Sequence, residues 1–315
     1  MTVCLAAFAQ NHQAIVCIAD KGLSYGDHIQ WDSDSTKIAH LNDKGTTVLF
    51  AGGEIATSRV LSALVARGDE LGDDKRETRK ICELEFSLAM NELIEAQYLR
   101  PALLDRAEYL AALKQPALNG HIHSIAQKIE KFEMDCSFLI CGYDANNSAY
   151  LFELDAPGIA TDFFTTGFQA IGSGWDKAIS RLLFAEHKRT HQIHRVLYDV
   201  FDAKANAEMA SGVGYEWDAK ILVKGRCIFE LTEEPKKLVE KVWAKFNRSP
   251  FEKRTKEDLP SPPANWKKAF EELSISTIAI ASKPPTDKKE AWPKARHFHA
   301  VLKDPAKQLA SGTSK

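Results

Sequence analysis

The feature that most restricts the fold is a change of hydrophobic period at Gly52-Gly53. Ahead of it the apolar residues come in short runs of strand length. Thr2 to Ala9 and Ala14 to Ala19 are two such runs, joined by a polar turn at Gln10-Asn11-His12-Gln13, and Asp20 ends the second abruptly. Lys21 to Ser35 is polar and reads as a loop with a short strand near Ile29-Trp31. Lys37 to Leu41 and the β-branched, aromatic run Thr46 to Ala51 predict two more strands around a turn at Asn42-Asp43-Lys44-Gly45. After Gly53 the spacing becomes helical: Val60, Leu61, Leu64 and Val65 share one face.

A charged break (Asp69 to Arg79) interrupts the helical pattern. It resumes from Ile81 to Tyr98, again from about Leu103 to Leu113, and from His121 to Phe132 after a turn at Pro116 to Gly120. Strands return at Cys136 to Gly142, Ala149 to Leu154 and Phe168 to Ile171, with turns at Asp144 to Asn147 and Asp155 to Gly158. Helices are expected over Trp175 to His187 and Ile193 to Met209, then a hairpin of Trp217 to Val223 and Cys227 to Leu231 across Lys224-Gly225-Arg226. Hairpin-joined strands in groups, separated by groups of helices, imply two antiparallel sheets with helices outside, an α+β arrangement of four layers.

Composition sets limits on class. Apolar residues make up 44% and charged residues 27% of the 315, the mix of a globular domain, and a net charge of −2 gives no global field for nucleic acid or a membrane surface. The start has no basic segment ahead of an apolar one, and no run approaches about 18 apolar residues, so neither a signal peptide nor a membrane span is expected. Six scattered cysteines without a C-x-x-C pair suit a reducing cytoplasm rather than a disulfide framework. From Ser249 onward the character changes: eight of the twelve prolines lie there, and thirteen Lys/Arg face eight Asp/Glu, so this basic stretch reads as a Pro-rich extension rather than a nucleic-acid binder. Within it Asn265 to Leu273 could be a short helix and Ile275 to Ile280 a strand, and the last ten residues read as disordered.

The chemistry begins at Thr2. A small residue at position two lets cytoplasmic processing remove Met1, and an N-terminal threonine carries a hydroxyl that can attack a carbonyl beside an amine that can accept the proton. A Met-Thr start is also common and by itself says nothing. Further along stand Ala19-Asp20, Thr36-Lys37-Ile38, Phe50-Ala51-Gly52-Gly53, Cys141-Gly142-Tyr143-Asp144, Ala170-Ile171-Gly172-Ser173-Gly174 and Glu208-Met209-Ala210-Ser211-Gly212. With these stretches in this order, residues 2–232 resemble the proteasome-type N-terminal-nucleophile hydrolases, and the Met-Thr-x-Cys start is most similar to the bacterial branch that includes Anbu.

The resemblance implies a four-layer αββα sandwich over residues 2–232, with an extra helical insertion at about 76–133 and a C-terminal helix and extension over 233–315. It implies a threonine-type hydrolase that cleaves amide bonds in peptides through an acyl-ester. In that reading Thr2 is the nucleophile and Lys37 eases its deprotonation. Asp20 compensates the buried ammonium. Ser173, Ser211 and Glu208 stand near the threonine amine, and Gly52 offers an oxyanion N–H. Ser24, Phe50, Gly52 and Glu54 touch substrate, with the large Phe50 favouring small or medium side chains. Each also has a plain reading: Asp20 as a turn residue, Lys37 as a solvated strand end, Gly52 as an ordinary turn, Phe50 as core, Ser173 as a helix N-cap and Ser211 in a C-terminal turn. Glu208 departs from the family, which has aspartate there.

The resemblance further implies a homo-oligomeric ring or spiral acting on peptide or unfolded protein, fed by a separate ATP-dependent unfoldase, without cofactor or metal. The alternatives are a non-catalytic assembly subunit and an amidase for a non-peptide substrate. His121-x-His123 and His297-x-His299 lack further donors at metal spacing, His187 to His191 reads as a solvated loop, and no phosphate-binding glycine motif is present.

Overall fold

The computed structural model describes residues 2–25, 29–32, 36–115, 120–210, 212–225 and 227–246. Six strands come first: β1 (Cys4–Ala9), β2 (Ala14–Asp20), β3 (Gly22–Tyr25), β4 (Ile29–Asp32), β5 (Ile38–His40) and β6 (Thr47–Gly52). Four helices follow, α1 (Glu54–Ala66), α2 (Lys75–Ile94), α3 (Arg106–Leu113) and α4 (Gly120–Glu130). Then come β7 (Cys136–Tyr143), β8 (Ala149–Asp155), β9 (Ile159–Asp162), β10 (Phe168–Ile171), α5 (Trp175–Phe184), α6 (Ile193–Ala207), β11 (Trp217–Val223), β12 (Cys227–Glu230) and α7 (Glu233–Phe246).

The strands form two five-stranded antiparallel sheets, ordered β10-β1-β2-β11-β12 and β5-β6-β7-β8-β9, with β3 and β4 as a separate hairpin. Side-chain alternation divides each sheet between two cores. Val3, just ahead of β1, and Leu5, Ala7 and Ala9 of β1 point to α5 and α6, while Cys4, Ala6 and Phe8 point to the other sheet. From β6 and β7, Val48, Phe138 and Ile140 meet α1 and α2, while Leu49, Leu139 and Cys141 meet the first sheet. Helix, sheet, sheet and helix are therefore stacked around three apolar layers, the α+β sandwich of four layers expected from the sequence. Because both faces of β1 and β2 are covered, every one of their residues is buried, which is why they read as unbroken apolar runs.

Local differences have physical reasons. The charged stretch read as a break contains the first turn of α2. Asp74 caps that helix by accepting the N–H groups of Arg76 and Glu77, and a polar first turn is what a helix N-terminus favours. The β3–β4 hairpin replaces a loop with a single short strand. Strand β9, not expected at all, buries only Ala160 and so carries no alternating pattern. Helices α3 and α4 make a small satellite core of Leu99, Tyr109, Ile122 and Ile125 beside the main sandwich. The segments read from the sequence at 116–119 and 249–315, and Arg226 of the last turn, lie outside the described residues.

Candidate active site

Three strand pairings bring the candidate residues to one end of the first sheet. Cys4 of β1 is paired with Ala19 of β2, which sets Asp20 beside Val3 and next to Thr2. Cys4 is paired on its other side with Ile171 of β10, so the chain leaving β10 passes Thr2 as Gly172-Ser173-Gly174. Trp217 of β11 is paired with Asp20, so the segment entering β11 passes the carboxylate.

The Asp20 carboxylate is fully buried and surrounded by donors. Oδ1 accepts the N–H of Val3 at 2.8 Å, and Oδ2 accepts the N–H groups of Gly22 and Gly214, each at 2.9 Å. The Lys37 ammonium lies 3.1 Å from both oxygens. It also donates to the carbonyl of Gly22 at 2.5 Å and to Oγ1 of Thr2. All three ammonium protons thus have acceptors, and a charge with almost no solvent access is neutralised by a full carboxylate, the condition under which a buried ion pair is tolerated. Lys37, just ahead of β5, is itself fixed against β6, since its carbonyl accepts the N–H of Phe50 at 3.2 Å.

Ser173 faces Thr2 from the other side. The Thr2 N–H donates to Ser173 Oγ at 3.2 Å, and the Thr2 carbonyl accepts from Ser173 Oγ at 3.4 Å and from the N–H of Gly174 at 3.3 Å. Gly172, at φ +89°, lets this segment approach: a Cβ there would lie 2.3 Å from the Thr2 carbonyl oxygen. Cys4, two residues from Thr2, is held as a neutral thiol, because complete burial pushes its pKa well above the ordinary range.

Gly52 ends β6 opposite Cys136, at φ +122°, where a Cβ would sit 2.4 Å from the carbonyl oxygen of Asp135. Only glycine fits. Gly53 then opens α1, whose positive N-terminal pole lies beside Gly52. A cavity of about 1390 Å³ opens here, with Thr2, Gly52, Gly53 and Ser173 in its lining. An apolar wall from the ends of α2 and α4 closes one side, and four carboxylates, Glu133, Asp135, Glu153 and Asp155, line the rest.

Phe50, Glu54 and Glu208 are not in this lining. Phe50 is half-buried, packs with Val48 on the helix-side core, and does not line the cavity. Glu54 is exposed in the first turn of α1 and is also outside the lining. Ser24 belongs to β3, paired with Gln30; its side chain lies outside the described residues, as does Ser211 entirely. Glu208 caps the C-terminus of α6 and accepts the ammonium of the fully buried Lys204 at 2.6 Å, and Lys204 also holds the carbonyl of Tyr215 at 2.5 Å. Sequence reasoning missed Gly22 and Gly214, which serve through backbone N–H groups; their only signal was glycine itself. Metal-donor spacing among the described residues occurs at His187, His191 and Asp199, by α6 rather than in this cavity.

No protein-family model matches the chain, and no curated protein matches it. Among solved structures it is similar to Anbu (ancestral beta-subunit) from Yersinia bercovieri, with a TM-score of 0.56 and 14% identity over 78% of this chain and 94% of that one. It is also similar to eukaryotic HslV from Trypanosoma brucei, with a TM-score of 0.43 and 18% identity over 70% of this chain and 99% of that one. The two-sheet architecture is that of the N-terminal-nucleophile hydrolase sandwich. The fold is proteasome β-like and similar to that of Anbu.

Proposed function

We propose that the chain is a threonine-type hydrolase of amide bonds, most suitably peptide bonds, with Thr2 as nucleophile once Met1 has been removed. The observation that carries this reading is the buried Lys37 ammonium donating to Thr2 Oγ1 while paired with Asp20. A solvated strand-end lysine has no reason to be there.

The freed α-amine of Thr2 takes the hydroxyl proton, directly or through a water, and Oγ1 bonds to the substrate carbonyl carbon. Lys37 favours the alkoxide by charge. The N–H of Gly52, at the positive end of α1, receives the carbonyl oxygen as it becomes an oxyanion. Collapse breaks the C–N bond, the amine leaves with the proton, and water hydrolyses the Thr2 ester. Ser173 Oγ, placed 3.2 Å from the Thr2 nitrogen, orients that amine. Self-association into a ring or spiral belongs to the same proposal, as does delivery of unfolded protein by a separate ATP-dependent partner.

Intact mass should show Met1 absent, and a fluorogenic peptide or an N-terminal-threonine-directed probe should react with wild type but not with Thr2→Ala. A retained Met1, or turnover that survives Thr2→Ala, overturns the reading.

A further inference from the structure

The loop between α5 and α6 carries a cluster that the hydrolase chemistry does not use. At the end of α5 the chain turns through Glu186, at φ +50°, and the N–H of His187 returns to the carbonyl of Leu182 at 3.0 Å. This sends the His187 side chain inward, edge-on to Phe168 with ring centroids 5.4 Å apart. The expected solvated loop is thus anchored by a histidine whose side chain is 0% exposed. His191 follows at 26% exposure, and Asp199 of α6 meets both at 1%.

Their distances are unusual for a hydrogen-bonded group. Nδ1 of His187 and Nδ1 of His191 each lie 3.6 Å from Oδ2 of Asp199, beyond hydrogen-bond length. Both ring nitrogens of His187 and Oδ2 of Asp199 are buried with no hydrogen-bond partner among the described residues. Such atoms are costly to bury unless something satisfies them. The three donor atoms all lie within 4.8 Å of one another. Two donors about 2.1 Å from one ion at a tetrahedral angle stand roughly 3.4 Å apart, close to the two 3.6 Å spacings to Asp199 Oδ2.

We propose that His187, His191 and Asp199 bind a single divalent transition-metal ion, zinc by the character of the donors, with solvent at the fourth position on the His191 side. Two imidazoles and one carboxylate suit zinc and its neighbours, whereas magnesium and calcium take oxygen donors in greater number. The surroundings suit an anionic ligand. Arg195 Nε donates to Oδ1, the oxygen turned away from the histidines, at 2.8 Å, which is the outer-shell support a ligating carboxylate commonly has. The N–H of Lys188 lies 3.4 Å from His191 Nδ1, a long contact to the lone pair that the ion takes over on binding. The ion's role is structural. The carbonyls of Arg189 and His191 accept the N–H groups of Asn11 and Gln10, so an ion that pins the loop to α6 also supports the left-handed β1–β2 turn.

The test uses the untagged full chain, stripped with chelator and titrated with zinc by calorimetry and with cobalt by visible absorption. The expected result is one equivalent of zinc, a tetrahedral cobalt spectrum, and a melting temperature that rises with zinc. His191→Ala, altered at the most exposed ligand, should lose that equivalent while remaining folded, and Asp199→Asn should lose it too. His123→Ala and the double variant His297→Ala/His299→Ala should keep it. A folded wild type that takes up neither metal, or wild type and His191→Ala binding alike, overturns the proposal.

Discussion

The N–H of Val3 donates to Oδ1 of Asp20 at 2.8 Å, so the residue next to Thr2 is tied to the carboxylate that holds Lys37. Thr2 and the Lys37 ammonium are thereby positioned by one anion, which also gathers Gly22 and Gly214. Asp20→Asn keeps the shape but removes the charge, and its NH₂ must face either the Lys37 ammonium or backbone donors. The expected loss is about 3–5 kcal/mol of stability, the cost of an uncompensated buried charge, together with loss of turnover. Denaturant unfolding of the variant checks it; a change under about 1 kcal/mol would contradict the ion-pair account.

Gly52 is tested by comparison with a second glycine of positive φ. Gly52→Ala places a Cβ 2.4 Å from backbone at Asp135, whereas Gly225, at φ +97°, has open space around it. Gly225→Ala should cost only conformational strain, about 1–2 kcal/mol, with turnover unchanged. Gly52→Ala should cost more and lower kcat about 10²–10³-fold as its N–H is displaced. Equal effects on kcat would remove Gly52 from the proposed oxyanion site.

What the sequence made legible follows from what residue type encodes. The apolar runs of β1 and β2 are readable because the sandwich covers both faces. Thr2, Asp20, Lys37 and Ser173 are readable because their order is kept while the pairings of β1 with β2 and β10 bring them together. Gly22 and Gly214 escape because they act through backbone N–H groups, which no side chain signals. Phe50 shows the value of alternation: it shares a face with Val48, toward the helices, whereas Leu49 and Ala51 face the other sheet. The helices between β6 and β7 gained a physical account only in three dimensions, where the ends of α2 and α4 form the apolar wall of the Thr2 cavity.

His40 predicts an acid-sensitive window. Burial, and then the Lys220 ammonium 3.3 Å from Nε2, push its pKa down to about 4 from an ordinary 6.5. Nδ1 meets Thr47 Oγ1 at 3.0 Å, so the folded state holds a neutral imidazole. The unfolded chain binds the extra proton below pH about 6.5. Stability is therefore complete above that pH and falls by up to about 3 kcal/mol as pH drops toward 4. His40→Gln should flatten this part of the unfolding free energy against pH. An unchanged slope would assign the acid sensitivity to other groups.

The lining of the Thr2 cavity predicts a preference for positively charged substrates. Glu133, Asp135, Glu153 and Asp155 face it, and among the described residues its lining has no lysine, arginine or histidine. Glu153 accepts from the neutral Gln169 at 2.5 Å, and none of the four carboxylates has an ion pair among the described residues. Burial raises the pKa of Glu153, against the Gln169 hydrogen bond and with help from Asp155, and burial raises that of Asp155 as well. A lysine or arginine side chain would lay its stem on the apolar wall and its charge among these groups. Peptides with such a residue near the scissile bond should show kcat/KM roughly ten-fold or more above neutral matched peptides, and further above acidic ones. The advantage should shrink with salt. It should also shrink as pH falls, starting above the ordinary carboxylate range, because protonation removes the attracting charge and these pKa values are raised. Glu153→Gln with Asp155→Asn should narrow the gap mainly through KM. Equal kcat/KM for cationic and neutral peptides, with Thr2 still labelled by a neutral probe, would reject the charge preference while leaving the nucleophile in place.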